Sequence, residues 1–357
     1  MTVHDLASAV DAIVPVDAAA GAEAAAHHDR LTKPRGALGR LEAVGIRLAA
    51  IAAQSPPPVP EPVAVAVFAG DHGVVDQGVT PWPQEVTAQR VANFCAGGAA
   101  VNVLARHVGA EVLVVDVGVA TPISVEGPGL LRRTVRRGTR DLSRQAAMTR
   151  DEALQAMGVG VDVASTAVDA GAALLVTGDM GIGNTTPSAA LISALTGRRP
   201  AEVTGRGTGI DDDMLARKVE VIEGALRRLP EGAEAVTVLA EVGGLEIAAL
   251  AGFVLGAAAR RIPVVIDGVI AAAATLVAAT MAPDAAGYAI AGHRSSEPGS
   301  AAALEALRLD PVLDLELRLG EGSGALLAVP AVQAAAKILR EMSTFDAAGV
   351  TDKGDPR

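Results

Sequence analysis

The residues best suited to chemistry begin in the stretch LLVTGDMGIGNTTPS, at positions 174–188. Its glycines, Gly178, Gly181 and Gly183, follow an apolar run and predict a turn that larger residues would enter only with strain. Thr185 or Thr186 can cap a following helix, with Pro187 in its first turn. Such a helix start directs N–H groups and a positive dipole end at one point, which favours phosphate. A tight strand–helix turn without a ligand is the alternative.

The loop does not match the two best-known phosphate fingerprints. It lacks the third glycine of GxGxxG, and it has no Gly-Lys-Ser/Thr sequence. The sequence therefore predicts a phosphate site, but neither a dinucleotide nor a nucleoside triphosphate.

Two carboxylates are candidates for acid–base work. Glu321 stands between Gly320 and Gly322, where a ligand can approach the backbone closely and burial would raise the pKa of the carboxyl toward that of a useful base. A solvated loop glutamate is the alternative. Asp179 lies inside the phosphate-type loop, where its charge would repel a phosphate. We interpret it as a hydrogen-bonding or turn-stabilising residue.

Two cations are candidates to meet an anion. Lys218 shares the apolar stripe of a predicted helix with Val221 and Ala225, so it either extends its stem to solvent or reaches a buried partner. Arg206, in the segment TGRGTG, precedes the same helix. A metal site at Asp71, His72 and Asp76 is not favoured, because the remaining histidines lack ligand spacing. We predict no catalytic metal.

The periodicity predicts alternating strands and helices. Continuous apolar runs are typical of parallel strands covered on both faces, and repeated βα units predict a doubly wound, Rossmann-like parallel sheet of the α/β class. Predicted strands are 63–68, 111–117, 173–177, 263–266, 287–291 and 314–319, the last at an edge. Predicted helices are 84–107, 149–171, 185–196, 211–228, 244–260, 268–282, 299–308 and 325–342. Glycine and polar clusters follow five of these strands, where ligands of such sheets bind.

A proline-rich connector at 56–62 predicts a domain boundary. We expect residues 1–55 to form the first part of a small helical domain and 63–324 to form a parallel α/β catalytic domain. Residues 325–350 are predicted to be a C-terminal helix that joins the small domain, and 351–357 a disordered tail.

The composition narrows the partners and the compartment. A net charge of −11 argues against nucleic acid and anionic membranes. Cys95 is the single cysteine, which fits a reducing compartment. The N-terminus carries Asp5, Asp11 and Asp17, unlike a signal peptide, and the apolar run 268–283 is short for a membrane span. We expect a cytoplasmic protein.

Taken in order, the motifs resemble the nicotinate-nucleotide–dimethylbenzimidazole phosphoribosyltransferase family of cobalamin lower-ligand synthesis. The matching segments are KPRGALGRLE (33–42), FAGDHGV (68–74), PQEVTAQ (83–89), GDMGIGNTT (178–186), GRGTG (205–209), EVGGLEIA (241–248), HRSSEP (293–298) and LGEGSGA (319–325). The resemblance implies transfer of the 5-phosphoribosyl group of nicotinate mononucleotide to 5,6-dimethylbenzimidazole. The products are α-ribazole 5′-phosphate and nicotinate, and the anomeric carbon inverts. It also implies no cofactor and a homodimer.

The resemblance assigns roles to single residues. Glu321 matches the catalytic glutamate that takes the benzimidazole proton, and Lys218 matches a lysine near the substrates. With the strand-end clusters, the predicted substrate-binding set is Gln89, Asp179, Met180, Gly181, Gly183, Asn184, Thr185, Arg206, Lys218, Asp267, Arg294 and Gly320. One position departs from the family, which has Gly-Glu-Met-Gly where this chain has Asp179, so a contact from Asp179 to the base is in question.

Two other functions stay open from the sequence. One is the same reaction with a different acceptor, such as adenine or a phenol. Its specificity would lie in walls near Trp82, Gln89 and Met180. The other is a non-catalytic nucleotide-binding sensor, which would need the phosphate loop but not Glu321.

Overall fold

The computed structural model describes residues 3–127, 129–207 and 209–352. Its centre is a six-stranded, all-parallel sheet in the order β3-β2-β1-β4-β5-β6. The strands are β1 (Val63–Gly70), β2 (Ala110–Gly118), β3 (Leu130–Arg132), β4 (Leu174–Met180), β5 (Val264–Ile266) and β6 (Ala289–Ala291). The order reverses between β1 and β4, as in doubly wound folds. The predicted fold class is confirmed.

The central strand β1 shows why the sequence forms a covered sheet. All eight of its residues are buried, and Val63 pairs with Ala110 on one side and with Leu174 on the other. Its even-numbered residues, among them Phe68, pack into one apolar cluster, and its odd-numbered valines pack into a second. The alternation of faces therefore builds one core on each side of the sheet.

Helices cover both faces. They are α1 (Val3–Ala12), α2 (Ala18–Arg30), α3 (Arg40–Ala52), α4 (Glu85–Cys95), α5 (Ala100–Val108), α6 (Arg150–Asp169), α7 (Thr185–Thr196), α8 (Pro200–Val203), α9 (Asp212–Leu226), α10 (Ala235–Val242), α11 (Leu245–Ala259), α12 (Val269–Met281), α13 (Pro298–Leu307), α14 (Ser323–Glu341) and α15 (Phe345–Ala348). The pair α6 and α11 packs with backbones in close approach, because a Cβ on Gly160 would lie 1.8 Å from the Ala249 oxygen.

One strand prediction was wrong and one strand was not predicted. Residues 314–319 form no strand. They lie in an irregular loop, and Leu313, directly before them, forms an isolated parallel β-bridge with His293. Leucines alternate with Glu316 and Arg318 in this segment, which had suggested an edge strand. In the structure Leu315 and Leu319 are exposed, and Glu316 has φ +57°. Conversely, β3 was missed, because three residues carry too little periodicity to be recognised.

Several helix predictions also needed correction. The predicted helix 84–107 is two helices, α4 and α5, separated by a turn in which Gly97 has φ +76°. Helix α10 was not predicted. Helix α14 starts at Ser323 rather than at 325, so the proposed domain boundary falls inside it.

The two chain ends meet beside the sheet. Ala24 of α2, Ala49 of α3 and Leu339 of α14 form a separate small apolar cluster, while α1 packs its Leu6 on the main core. The division into domains stays a prediction, and residues 353–357 of the predicted tail lie outside the described residues. Among the helices described, none is both long enough and apolar enough to cross a bilayer.

Candidate active site

A cleft opens at the carboxyl ends of the strands, beside the point where the strand order reverses. The turn after β4 forms its floor, the segment before α9 and the start of α12 form walls, and the loop before α14 forms its rim. Its lining includes Val79, Thr80, Asp179, Met180, Gly181, Gly183, Asn184, Thr185, Arg206, Lys218, Gly268, His293, Ser295, Glu297, Arg318 and Gly320. Gly320 and eight other predicted substrate-binding residues therefore line one cleft.

The turn between β4 and α7 needs its glycines. Gly183 has φ +86°, and a Cβ there would lie 2.8 Å from Val75 Cγ2. A Cβ on Gly181 would lie 2.3 Å from the Gly70 oxygen, so the turn rests directly on the end of β1. This close approach brings the start of α7 to the cleft.

The backbone N–H groups of this turn divide into two sets. That of Ile182 donates to Thr87 Oγ1 at 3.1 Å, and those of Asn184 and Thr186 close local turns. Among the described residues, the N–H groups of Gly183 and Thr185 have no protein acceptor. Two donors at a helix N-terminus are therefore free for an anion.

Lys218 of α9 brings a cation to the same place. Its residue is 1% exposed, and Nζ donates to Thr185 Oγ1 at 2.7 Å and to the Gly205 oxygen at 3.2 Å. Burial lowers the pKa of Lys218 to about 8, although Glu297 opposes the shift. The side chain does not extend to solvent, so the alternative of an exposed ammonium is wrong. At neutral pH it is mostly charged beside the helix start.

Arg206 lies at the mouth of the cleft rather than inside it. Its side chain is half exposed and pairs with Asp212, while Nη1 donates to the Ile210 oxygen at 2.9 Å. It can reach an anionic ligand only by leaving a weak surface pair.

Glu321 lies at the other end of the site, in the turn before α14. It is 2% exposed and has φ +64°, between Gly320 at +80° and Gly322 at +82°. Oε1 accepts from Arg90, and Oε2 is buried with no hydrogen-bond partner in the described chain. Burial raises the pKa of Glu321 and Asp267 adds to this, whereas Arg90 lowers it. The net shift is upward, which suits a general base.

Asp267, at the end of β5, acts inside the protein. Its Oδ1 accepts from the Ala325 N–H at 2.9 Å, and its Oδ2 accepts from the Gly322 N–H at 3.2 Å. His293 Nε2 lies 3.4 Å from Oδ1. The carboxylate therefore holds the first turn of α14, and with it the backbone of Glu321; it does not line the cleft.

Among the described residues, Asp179 forms no ion pair, whereas Glu321 pairs with Arg90 and Asp267 lies beside His293. Asp179 is 5% exposed, and Oδ2 accepts from Asn184 Nδ2 at 3.0 Å, while Oδ1 has no partner among the described residues. Burial, followed by the charge of Asp267, raises the pKa of Asp179 well above its ordinary value. This shift favours the neutral carboxyl, which would weaken the repulsion of a phosphate that the sequence had suggested.

Two predicted residues lie away from the cleft. Gln89 is exposed on α4, and Arg294 is exposed with its Nε 3.2 Å from Asp314 Oδ2. Neither lines the pocket. Their predicted contacts stay predictions that need a movement or a bound ligand.

Sequence reasoning missed Thr87 and Arg90, which face the site from α4. Thr87 binds the turn before α7, and Arg90 binds Glu321. The helical phase was the available signal: Thr87, Val91 and Phe94 are the apolar or small positions of one side, and Gln89 falls on the opposite side.

It also missed the pair beneath the phosphate-type turn. His72 Nε2 lies 2.6 Å from Glu246 Oε1, and both side chains are completely buried. Burial alone would lower the pKa of His72, but Glu246 and Asp71 outweigh it and raise the pKa. Within residues 3–127, 129–207 and 209–352, no group of three or more His, Cys, Asp or Glu side chains is arranged to hold a metal.

Matches to known proteins extend along almost the whole chain. A phosphoribosyltransferase family model matches residues 13–350. A nicotinate-nucleotide–dimethylbenzimidazole phosphoribosyltransferase from Salinispora tropica is 59% identical and covers 96% of this chain and 98% of its own. One from Chloroflexus aggregans is 55% identical, with 98% of each chain covered. The crystal structure of CobT from Thermus thermophilus superposes with a TM-score of 0.90 at 48% identity, over 93% of this chain and 99% of that one.

Proposed function

The chain belongs to this phosphoribosyltransferase family, and on that premise we propose the reaction that it catalyses. It transfers the 5-phosphoribosyl group of nicotinate mononucleotide to 5,6-dimethylbenzimidazole. The products are α-ribazole 5′-phosphate and nicotinate, with inversion at the anomeric carbon. The observation that carries the proposal is one cleft in which a free helix start lies beside a buried ammonium, with the buried Glu321 directly after Gly320 of the cleft lining.

The donor half of the reaction belongs to α7. The phosphate of nicotinate mononucleotide accepts hydrogen bonds from the N–H groups of Gly183 and Thr185, and the ammonium of Lys218 supplies a positive charge that attracts it. An anion here also benefits from the helix dipole. Lys218 Nζ already donates to Thr185 Oγ1 at 2.7 Å, so a phosphate bound at the start of α7 lies within reach of both the ammonium and the Thr185 N–H. Arg206, at the mouth, closes on the outer side of the nucleotide.

The acceptor half belongs to the turn before α14. A ring nitrogen of the benzimidazole attacks the anomeric carbon on the face opposite nicotinate. The carbon–nitrogen bond to nicotinate breaks, and its electron pair neutralises the pyridinium, so the leaving group needs no proton. The second ring nitrogen of the acceptor loses its proton to Glu321. One buried base therefore completes the reaction.

Asp179 lies between the two halves and serves as a hydrogen-bond donor. A Cβ on Gly320 would lie 3.1 Å from Asp179 Oδ2. The carboxyl of Asp179 therefore lies close to the backbone next to Glu321. Its raised pKa favours the neutral, hydrogen-bond-donating form, which leaves Glu321 as the base for the proton of the acceptor. Met180 and Gly320 contribute the apolar and close-approach surfaces of the base site.

The family resemblance also supports a homodimer that works in the cytoplasm. Sedimentation at micromolar concentration distinguishes the dimer from a monomer by its mass. Gln89 and Arg294, which are exposed in the single chain, are the predicted substrate contacts to follow in a structure of the assembly with ligands.

The test is a product assay. The protein is mixed with nicotinate mononucleotide and 5,6-dimethylbenzimidazole, and nicotinate and α-ribazole 5′-phosphate are separated by chromatography, with the anomer assigned by NMR. Formation of both products in equal amounts supports the proposal. Binding of nicotinate mononucleotide without either product would contradict it, and a higher kcat/KM with adenine or a phenol would replace the acceptor.

A further inference from the structure

Helix α4 joins the two halves of the site through residues one turn apart. Thr87 Oγ1 accepts from the Ile182 N–H in the turn before α7, and Arg90 Nη2 donates to Glu321 Oε1 in the turn before α14. Residues three apart on a helix share one side, so α4 presents both contacts together. The proposed function uses Glu321 but leaves the guanidinium of Arg90 without a role.

Arg90 covers the carboxylate that must meet the acceptor. Glu321 is 2% exposed and is absent from the lining of the open cleft, although its neighbour Gly320 lines it. The Arg90 side chain is 33% exposed, so one side faces the protein and the other faces solvent. In this arrangement Oε1 of Glu321 is occupied by Arg90 and Oε2 is buried, whereas Arg90 is partly exposed to solvent.

We propose that Arg90 is a latch: it occupies the acceptor side of Glu321 in the ligand-free protein and swings outward when the acceptor base binds. The inference rests on the proposed function. Phe94 contacts the guanidinium on the same helix while the ion pair is formed, because Arg90 Cζ lies 5.7 Å from the centre of its ring. A cation over an aromatic face is favourable, so this contact does not depend on the carboxylate and stays available to Arg90 when the ion pair breaks.

The movement changes the charges that face Glu321. Arg90 of α4 is the cation that contacts it, while Asp267 at the end of β5 and Asp179 at the end of β4 are the nearby carboxyls. When Arg90 leaves, burial and Asp267 remain, so Glu321 holds a proton more tightly. Arg90 thus favours the ionised form of Glu321 before binding, and its departure makes the carboxylate a stronger base when the acceptor arrives. Arg90 is a positioning residue in this scheme.

Two variants test the latch by steady-state kinetics. Arg90→Met keeps the length of the side chain and removes the charge, whereas Arg90→Lys keeps the charge. We expect Arg90→Met to lower the acceptor KM about two- to fivefold, the range of a partly exposed ion pair, and to move the acidic limb of the pH–rate profile to higher pH. Arg90→Lys should restore the limb toward its wild-type position.

A binding cycle tests the same idea without turnover. Calorimetry compares the affinity of 5,6-dimethylbenzimidazole for the wild type, Arg90→Met, Glu321→Gln and the double variant. The latch predicts that Arg90→Met tightens binding in the wild-type background and has no further effect in Glu321→Gln. Weaker acceptor binding in Arg90→Met, or an unmoved acidic limb, would overturn the latch. Absence of product from the wild type would instead overturn the proposed function.

Discussion

Two helices of this protein start in the same way and serve opposite purposes. Helix α7 follows a glycine turn with Gly183 at φ +86°, and α14 follows one with Gly322 at φ +82°. At α7, the N–H groups of Gly183 and Thr185 are without a protein acceptor among the described residues, and Lys218 lies beside them. At α14, the carboxylate of Asp267 accepts two N–H groups of the first turn.

The difference shows what makes a helix start available to a ligand. Both turns supply donors and a positive dipole end. At α14 the protein's own carboxylate already fills the anion position, so the turn presents a side chain, Glu321, instead of binding a phosphate. At α7 a cation takes the place of that carboxylate. The charged side chain that lies beside each turn, rather than the glycine turn itself, decides the role.

The largest effect should come from the α14 side. Glu321→Gln keeps the size of the side chain but removes the acceptor of the proton, so turnover should fall about 10²–10⁴-fold, the usual contribution of a positioned base. Nicotinate mononucleotide should bind as before, because α7 holds it. Glu316→Gln, on the exposed loop before it, is the control and should keep native turnover. Near-native turnover in Glu321→Gln would leave the α14 turn without a catalytic role.

The next effect should come from the α7 side. Lys218→Met removes the positive charge that attracts the phosphate. Affinity for nicotinate mononucleotide should therefore fall about 10–100-fold, as expected for a lost charged hydrogen bond. The free energy of unfolding should hold or rise, because a buried charge is removed. Calorimetry and denaturation measure both, with the exposed Lys337→Met as control.

The pH dependence sharpens the Lys218 prediction. The charged ammonium favours the phosphate, and its pKa is about 8 in the ligand-free protein. Affinity for nicotinate mononucleotide should therefore be highest below this pH and decline above it. Lys218→Met should lose this decline. Equal affinity and pH dependence in the variant and the wild type would remove Lys218 from the phosphate site.

A smaller loss of affinity should follow Gly183→Val. A β-branched residue at φ +86° costs roughly 1–2 kcal/mol, and its Cβ would press on Val75, so nicotinate mononucleotide should bind about 5–30-fold more weakly. Gly197→Val is the matched control, since Gly197 has φ +71° at the other end of α7 with open space around it. If both variants bind alike, the turn is not part of the site.

The smallest effect concerns the internal cap of α14. Asp267→Asn keeps one acceptor and loses the other, so the free energy of unfolding should fall by about 1 kcal/mol. Turnover should fall with it, because the backbone of Glu321 shifts, while affinity for nicotinate mononucleotide stays unchanged. A selective loss of that affinity would show that Asp267 serves the donor half, and the comparison of the two helices would fail.

Much of this arrangement could be predicted from the sequence because its signals are local. Apolar runs define the covered sheet, and glycines at Gly181, Gly183, Gly320 and Gly322 mark the turns. The site of Glu321 followed from its flanking glycines. These features depend on a few adjacent residues, so periodicity and conformational freedom suffice to recognise them.

The remaining features depend on contacts between distant parts of the chain. Arg90 reaches Glu321 across 231 positions, whereas the sequence prediction named the adjacent Gln89, which is exposed. Asp267, a predicted substrate-binding residue, accepts hydrogen bonds from the start of a helix that begins 56 residues later, at Ser323. The raised pKa of Asp179 follows from burial and from the charge of Asp267. None of these can be read from adjacent residues.

The most direct test of the account is the pH–rate profile of the wild type beside that of Glu321→Gln. Burial raises the pKa of Glu321, and the working base is the ionised form. Turnover of the wild type should therefore rise with pH through a single ionisation on the acidic side. The residual turnover of Glu321→Gln should show no such limb. An identical acidic limb in both proteins would show that another group takes the proton and would contradict the assignment of Glu321 as the base.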